Sequence, residues 1–246
     1  MGDGNVRHRG LHPGDDEIFR EDQLPDLRAA VEDYSWLLDR GYAEPSTLKL
    51  VGDRYQLRAR QRDAVSRCSA STASLERRSA HHARVPGLED AIYIDGYNLL
   101  ITLETALSGG VVLRARDGCF RDLASLHGTY RSVEETTPAI ELVGEALHDR
   151  LAFRGKAFWY LDAPVSNSGR LAGTIREAAA RRGWTWEVLL VPDPDPVLAD
   201  QQGLISSSDS WILDRCQQWF NLASEILEPR RGEIFVVDLS PAKGIK

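Results

Sequence analysis

Cysteine is scarce in this chain of 246 residues: Cys68, Cys119 and Cys216 lie far apart, with no CxxC pair. That spacing argues against a disulfide framework and against a thiolate zinc site, and predicts idle or buried thiols in a reducing cytosol. Long apolar runs are missing too. No stretch approaches the roughly 18 residues of a membrane span. The opening MGDGNVRHRGLHPGDDE lacks the apolar middle of a signal peptide, so a cytoplasmic protein without a membrane partner is expected. There is no excess of positive charge, the net charge being −7. This argues against a wholesale nucleic-acid coat protein, yet it says nothing about a local basic groove. What is present is ordinary globular material, long enough for one large domain or two modest ones.

Residues 1–16 are rich in Gly, Asp, His and Arg without periodicity and are expected to form a disordered tail. Residues 17–70 read as a small all-helical module. PDLRAAVEDYSWLLDRG has Pro25 near its start, Leu27, Ala30, Val31, Tyr34, Leu37 and Leu38 at helical spacing, and Gly41 as a stop. A second helix restarts at Pro45 with Ser46 as a cap, and QLRARQRDAVSRC makes a third. Residues 71–89 are a linker or connecting helix. From residue 90 to 246 the apolar strands AIYID, KAFWYLD, TWEVLLV, GLISSSD and EIFVVDL are separated by helical stretches. That alternation predicts an α/β domain built on a mostly parallel sheet with right-handed crossovers.

Several of these strands end in a carboxylate: Asp95, Asp162, Asp209 and Asp238. The carboxyl ends of parallel strands share one edge, where open α/β sheets bind ligands, so aspartates distant in sequence are expected to converge there. VPDPDPVLAD adds Asp193, Asp195 and Asp200 after another strand. Converging carboxylates repel one another unless a cation neutralises them, and hard oxygen donors select Mg²⁺ or Mn²⁺. Such an ion serves phosphodiester hydrolysis. Taken singly, each strand-end aspartate is more often a helix cap or turn residue; their joint recurrence is less easily explained that way.

IDGYN, then YLDAP, an acidic segment after a strand and SSSD before a helix together resemble the PIN and NYN nuclease superfamily over roughly residues 90–240. The resemblance implies a PIN/NYN-like fold, with Asp95, Asp162 and Asp209 as catalytic metal ligands and Asn98 orienting a ligand or phosphate. It also implies Asp195 as a further acidic ligand, with Asp193 and Asp200 as rivals. A nucleic-acid partner is expected, RNA ahead of DNA. The whole chain also resembles a family of archaeal and bacterial proteins known as domain of unknown function 434. That likeness implies an architecture and no activity.

Between Asn98 and Pro138 lies an insertion with Ser108-Gly109-Gly110 and Asp117-Gly118 turns flanking VVLRAR, read as a hairpin. After it, Arg121 is a candidate phosphate contact and His127 an acid or phosphate contact. A surface ion pair and a histidine satisfied within the fold explain the same residues. Glu104 is a further candidate ligand. Ser166 and Ser168, before a helical stretch, are candidate anion contacts, with Asn167 or Ser168 as a plain cap the simpler reading. Between Val51 and Arg84, eight arginines (Arg54, Arg58, Arg60, Arg62, Arg67, Arg77, Arg78, Arg84) face three acids. This is the expected nucleic-acid patch, or else a solvated, ion-paired helix face. Three functions compete: a metal-dependent ribonuclease, a catalytically silent nucleic-acid-binding or complex-forming protein, and a phosphatase of the HAD type. The last needs a second aspartate where Tyr97 stands. The oligomeric state is open, a homo-oligomer included.

Overall fold

The computed structural model describes residues 8–87, 90–124 and 130–241. Five helices open the chain: α1 (Asp15–Ile18), α2 (Leu24–Leu38), α3 (Glu44–Arg54), α4 (Ala59–Cys68) and α5 (Thr72–Ala80). Strands β1 (His82–Ala83) and β2 (Ile92–Asp95) follow, then α6 (Gly96–Leu107), β3 (Val112–Arg114), β4 (Phe120–Asp122) and α7 (Thr136–Gly144). The remainder alternates as β5 (Ala157–Asp162), α8 (Ser168–Arg182), β6 (Trp186–Val191), α9 (Pro194–Ala199), β7 (Leu204–Ser206), α10 (Ser210–Leu213), β8 (Trp219–Phe220), α11 (Leu222–Leu227) and β9 (Val236–Asp238). Among the described residues no helix is long and apolar enough to cross a membrane.

Six strands form one parallel sheet in the order β1-β8-β7-β2-β5-β6. Period-two alternation builds both of its faces. Ile92 and Ile94 of β2 join Ala157, Trp159 and Leu161 of β5 in the largest core, whereas Tyr93, Phe158, Tyr160 and Ile205 pack on the other side. Covered faces explain why these strands are apolar almost throughout. Each fully buried large side chain there contributes about 1.5–3 kcal/mol. From β2 the chain builds outward to β5 and β6, then returns to place β7 and β8 on the opposite side of β2. The strand order therefore reverses between β2 and β7.

Gly96 makes the β2–α6 turn feasible. A Cβ there would meet the Tyr160 carbonyl oxygen at 2.9 Å and a Leu161 methyl at 2.5 Å, so the helix lies closer to β5 than any side chain would allow.

The hairpin expected after Asn98 is present: β3 and β4 pair antiparallel around the Asp117-Gly118 turn, with Gly118 at φ +78°. Here the sheet expectation needs a correction. β9, which ends in Asp238, does not join the main sheet; it pairs with β3 in a separate sheet ordered β4-β3-β9. The inserted hairpin offers a free edge, and β9 satisfies it. Asp238 consequently lies away from the other aspartates and pairs with Arg231, while its acceptance from Ser240 and nearby Arg114 hold its carboxyl low against the effect of burial.

The three expected N-terminal helices are α2, α3 and α4, and α5 is the connecting helix in the region read as linker. Ser46 does not cap α3, whose N-cap position is Ala43. Leu27, Val31 and Val65 pack with Leu113, Leu123 and Val237, so the helical region covers the small sheet and shares its core. Residues 8–16 depart from the expected tail. Arg9 pairs with the fully buried Glu104, and Asp15, itself 1% exposed, takes both forks of Arg60 at 2.6 and 2.7 Å. Buried carboxylates need partners, and these arginines supply them. Residues 1–7 lie outside the described residues.

Candidate active site at the sheet switch point

Where the strand order of a parallel sheet reverses, the loops after adjacent strands diverge and leave a crevice at the carboxyl edge. β2 and β7 flank that point here, and their ends carry Asp95 and the run Ser207-Ser208-Asp209. Hydrogen bonds cross the crevice. The Ser207 hydroxyl donates to Asp95 Oδ2 at 2.7 Å, and Ser208 donates both its N–H (2.9 Å) and its hydroxyl (2.8 Å) to Asn98 Oδ1. The DGYN turn and the SSSD turn thus lock together.

Each aspartate also has a local structural role. Asp95 Oδ1 accepts the Asn98 N–H at 3.4 Å at the start of α6, and Asp209 Oδ1 accepts the N–H groups of Trp211 and Ile212 at 2.8 and 3.1 Å at the start of α10. Capping explains why aspartate suits the positions, but not why so many gather on one edge. Asp162 ends β5 beside β2. Of the three acids after β6, Asp193 caps α9 by accepting the Asp195 N–H at 3.2 Å, and Asp200 follows the helix end. Asp195 is the one within Coulombic reach of Asp95.

Burial, with charge repulsion beside it, raises the acids of this edge. Burial pushes the Asp95 carboxyl up to about 7, with Asp195 and Asp209 acting in the same direction against the Ser207 hydrogen bond. Burial raises Asp195 to about 6, helped by Asp209, Asp193 and Asp162, and it raises Asp162, helped by Asp193. These are uncompensated acids of the kind a bound cation would relieve. Their donors are oxygens, which fits Mg²⁺ or Mn²⁺. Among the described residues, however, no three of His, Cys, Asp and Glu stand close enough to hold a metal ion by themselves. One or two carboxylates completed by water and a substrate phosphate is the coordination Mg²⁺ commonly takes, and this edge offers that much.

A cavity of about 250 Å³ opens beside Asn98, Ser208 and Asp209, with Arg67, Arg121 and Asp122 on its other walls. Arg121 does not reach it as a free phosphate contact. It is buried, bidentate on Asp117 at 3.0 and 2.6 Å, and its Nε donates to the Ser208 carbonyl at 2.8 Å. Asp117 also takes Arg78 of α5 at 2.6 Å, so two guanidinium groups hold its carboxyl far below the usual range despite burial. This network positions the Ser208 turn. The sequence hint for it was the Asp-Gly turn four residues before Arg121.

Other expected contacts are elsewhere. Arg54 faces Asp33 at 3.4 Å, Arg58 faces Glu17 at 2.9 Å, Arg60 holds Asp15, and Arg62 faces Asp53 at 2.8 Å. These four read as an ion-paired helical surface and none lines the cavity. Glu104 is fully buried on α6, accepting from Tyr130, Thr136 and Arg9, so it is a core residue and no ligand. Ser168 is buried and donates to the Ala163 carbonyl, whereas Ser166 is exposed; Asn167 makes no side-chain cap and donates to the Tyr130 carbonyl. His127 lies outside the described residues. Ser207 and Asp117 are the site residues that sequence reasoning did not single out.

Fold and site together define an open parallel α/β protein with an acidic edge at its switch point. Residues 87–225 match the family model described as "Domain of unknown function (DUF5616)", and the chain belongs to that family. Residues 26–80 match "Protein of unknown function (DUF434)". The expected whole-chain likeness to family 434 is therefore limited to the helical region, and the α/β region matches the other model. An uncharacterised protein of Methanocaldococcus jannaschii is 32% identical over 188 residues, covering 76% of this chain and 88% of that protein. No solved structure matches the chain.

Proposed function

We propose that this protein is a metal-dependent phosphodiester hydrolase of the PIN/NYN type, acting on RNA. The observation that carries the reading is the switch-point pairing of Asp95 with the Ser207–Asp209 turn, with Asp162 and Asp195 on the same sheet edge. One or two of Asp95, Asp209, Asp162 and Asp195, completed by water and a substrate phosphate, would hold Mg²⁺ or Mn²⁺, which supplies activation of water and charge neutralisation at the scissile phosphate when bound. The chain's own part is positional. Ser207 fixes one Asp95 oxygen, Ser208 fixes Asn98 so that its amide nitrogen stays available to a ligand, and Arg121 fixes Ser208.

A second reading is favoured by one observation, the lack of a three-ligand group among the described residues. It makes the chain a catalytically silent nucleic-acid-binding protein on the same fold. End-labelled RNA incubated with Mn²⁺, with Mg²⁺ and with EDTA separates the two. Cleavage in either metal that EDTA abolishes and Asp209→Asn abolishes supports the hydrolase. Binding without cleavage in all three conditions supports the silent protein.

A further inference from the structure

An acidic edge repels a polyanion, so a hydrolase built on it needs a cation placed beside the acids. Arg54, Arg58, Arg60 and Arg62 are turned to carboxylates outside the cavity, and Arg121 is neutralised within the fold by Asp117. Arg67 of α4 differs from all of them. Its side chain is 39% exposed in the cavity that opens beside Asn98 and Asp209. Its Nη1 and Nη2 donate to two main-chain carbonyls, those of Asp122 at 2.9 Å and Ala124 at 3.1 Å. Among the described residues its one carboxylate partner, Asp122, forms an ion pair at 3.8 Å without a hydrogen bond, the Asp122 oxygens being taken by the Ala124 N–H and the Thr102 hydroxyl. The carbonyls orient the guanidinium, and the ion pair with Asp122 takes none of its N–H groups. Among the described residues three of its five N–H donors remain for another acceptor, and the group is stiffened before any ligand arrives.

We infer that Arg67 is the phosphate-binding residue of this site, reaching from the helical region into the cavity beside Asn98 and Asp209 to hold a backbone phosphate of the nucleic-acid strand. The inference rests on the hydrolase reading and deepens it. It makes the segments 26–80 and 87–225 parts of one site: the first supplies the cation and the second the carboxylates.

The test is binding of a short fluorescent single-stranded RNA in Mg²⁺, followed by anisotropy over a salt series, with strand integrity read on a gel from the same samples. Wild type, Arg67→Ala, Arg67→Gln and Arg67→Lys are compared, with circular dichroism as the check on folding. Arg67→Ala and Arg67→Gln are expected to bind about tenfold more weakly, as for loss of one charge-assisted hydrogen bond. The slope of log affinity against log salt should fall by about 0.7, the value for one lost contact to a single strand. Arg67→Lys should keep the slope. A purely structural arginine would leave the slope unchanged, so wild-type affinity and slope in a folded Arg67→Gln overturn the inference. If wild type still cleaves in that case, the hydrolase reading survives alone. If wild type neither binds nor cleaves, both fall.

Discussion

The Ser207 hydroxyl donates to the Asp95 carboxylate at 2.7 Å, joining the ends of β7 and β2 where the sheet reverses its order. Ser207→Ala leaves that buried oxygen without its partner, which is expected to cost about 1–3 kcal/mol. It should also move the Asp95 carboxyl still higher. Urea denaturation gives the first quantity, and carbon NMR of labelled aspartate through a pH titration gives the second.

Asp95 carries a pH dependence whose sign is opposite to the common acid-denaturation case. Its folded value of about 7 lies above the ordinary carboxyl range, so between pH 4 and 7 the folded state binds more protons than the unfolded one. The contribution of Asp95 to stability is then greatest in acid and is lost as the pH rises to about 7. Asp195, raised to about 6, acts in the same direction. In metal-free buffer Asp95→Asn should be more stable than wild type at pH 8, and the two should converge near pH 4. Guanidinium denaturation at those two pH values decides it; a wild-type advantage at pH 8 contradicts the account.

Much of the fold was legible because burial on both faces forces a plain pattern. The apolar runs ending at Asp95 and Asp162 are β2 and β5, and Pro25 and Gly41 bracket α2 closely. The hairpin was legible from Asp117-Gly118. Pairing partners were not: the apolar run of β9 does not say which sheet it joins, and its pairing with the free edge of β3 takes Asp238 away from the site. Charges misled for a related reason. An arginine-rich window shows no trace of carboxylates that arrive from elsewhere in the chain, as Asp15 does for Arg60 and Asp33 for Arg54.

Asp117 lies between two buried guanidinium groups, those of Arg78 and Arg121. Asp117→Asn leaves two cations with reduced compensation inside the fold and is expected to destabilise it by about 3–5 kcal/mol. Arg78→Ala should cost less, since Asp117 retains Arg121. Denaturant midpoints of the two variants give the order directly.

Glu104 and Arg9 tie the first described residues to α6. Arg9→Ala should leave Glu104 with its Tyr130 and Thr136 donors and release the chain before α1. Amide exchange in residues 8–14 is expected to accelerate, with the main sheet unchanged; exchange rising equally throughout would show a global loss of stability instead.

The most direct measurement of the central claim is Mn²⁺ binding by calorimetry at pH 8, comparing wild type with the double variant Asp95→Asn, Asp209→Asn. The account predicts binding by the wild type that the folded double variant loses. Equal binding by the two proteins, or none by the wild type, would contradict the assignment of these aspartates to a metal site.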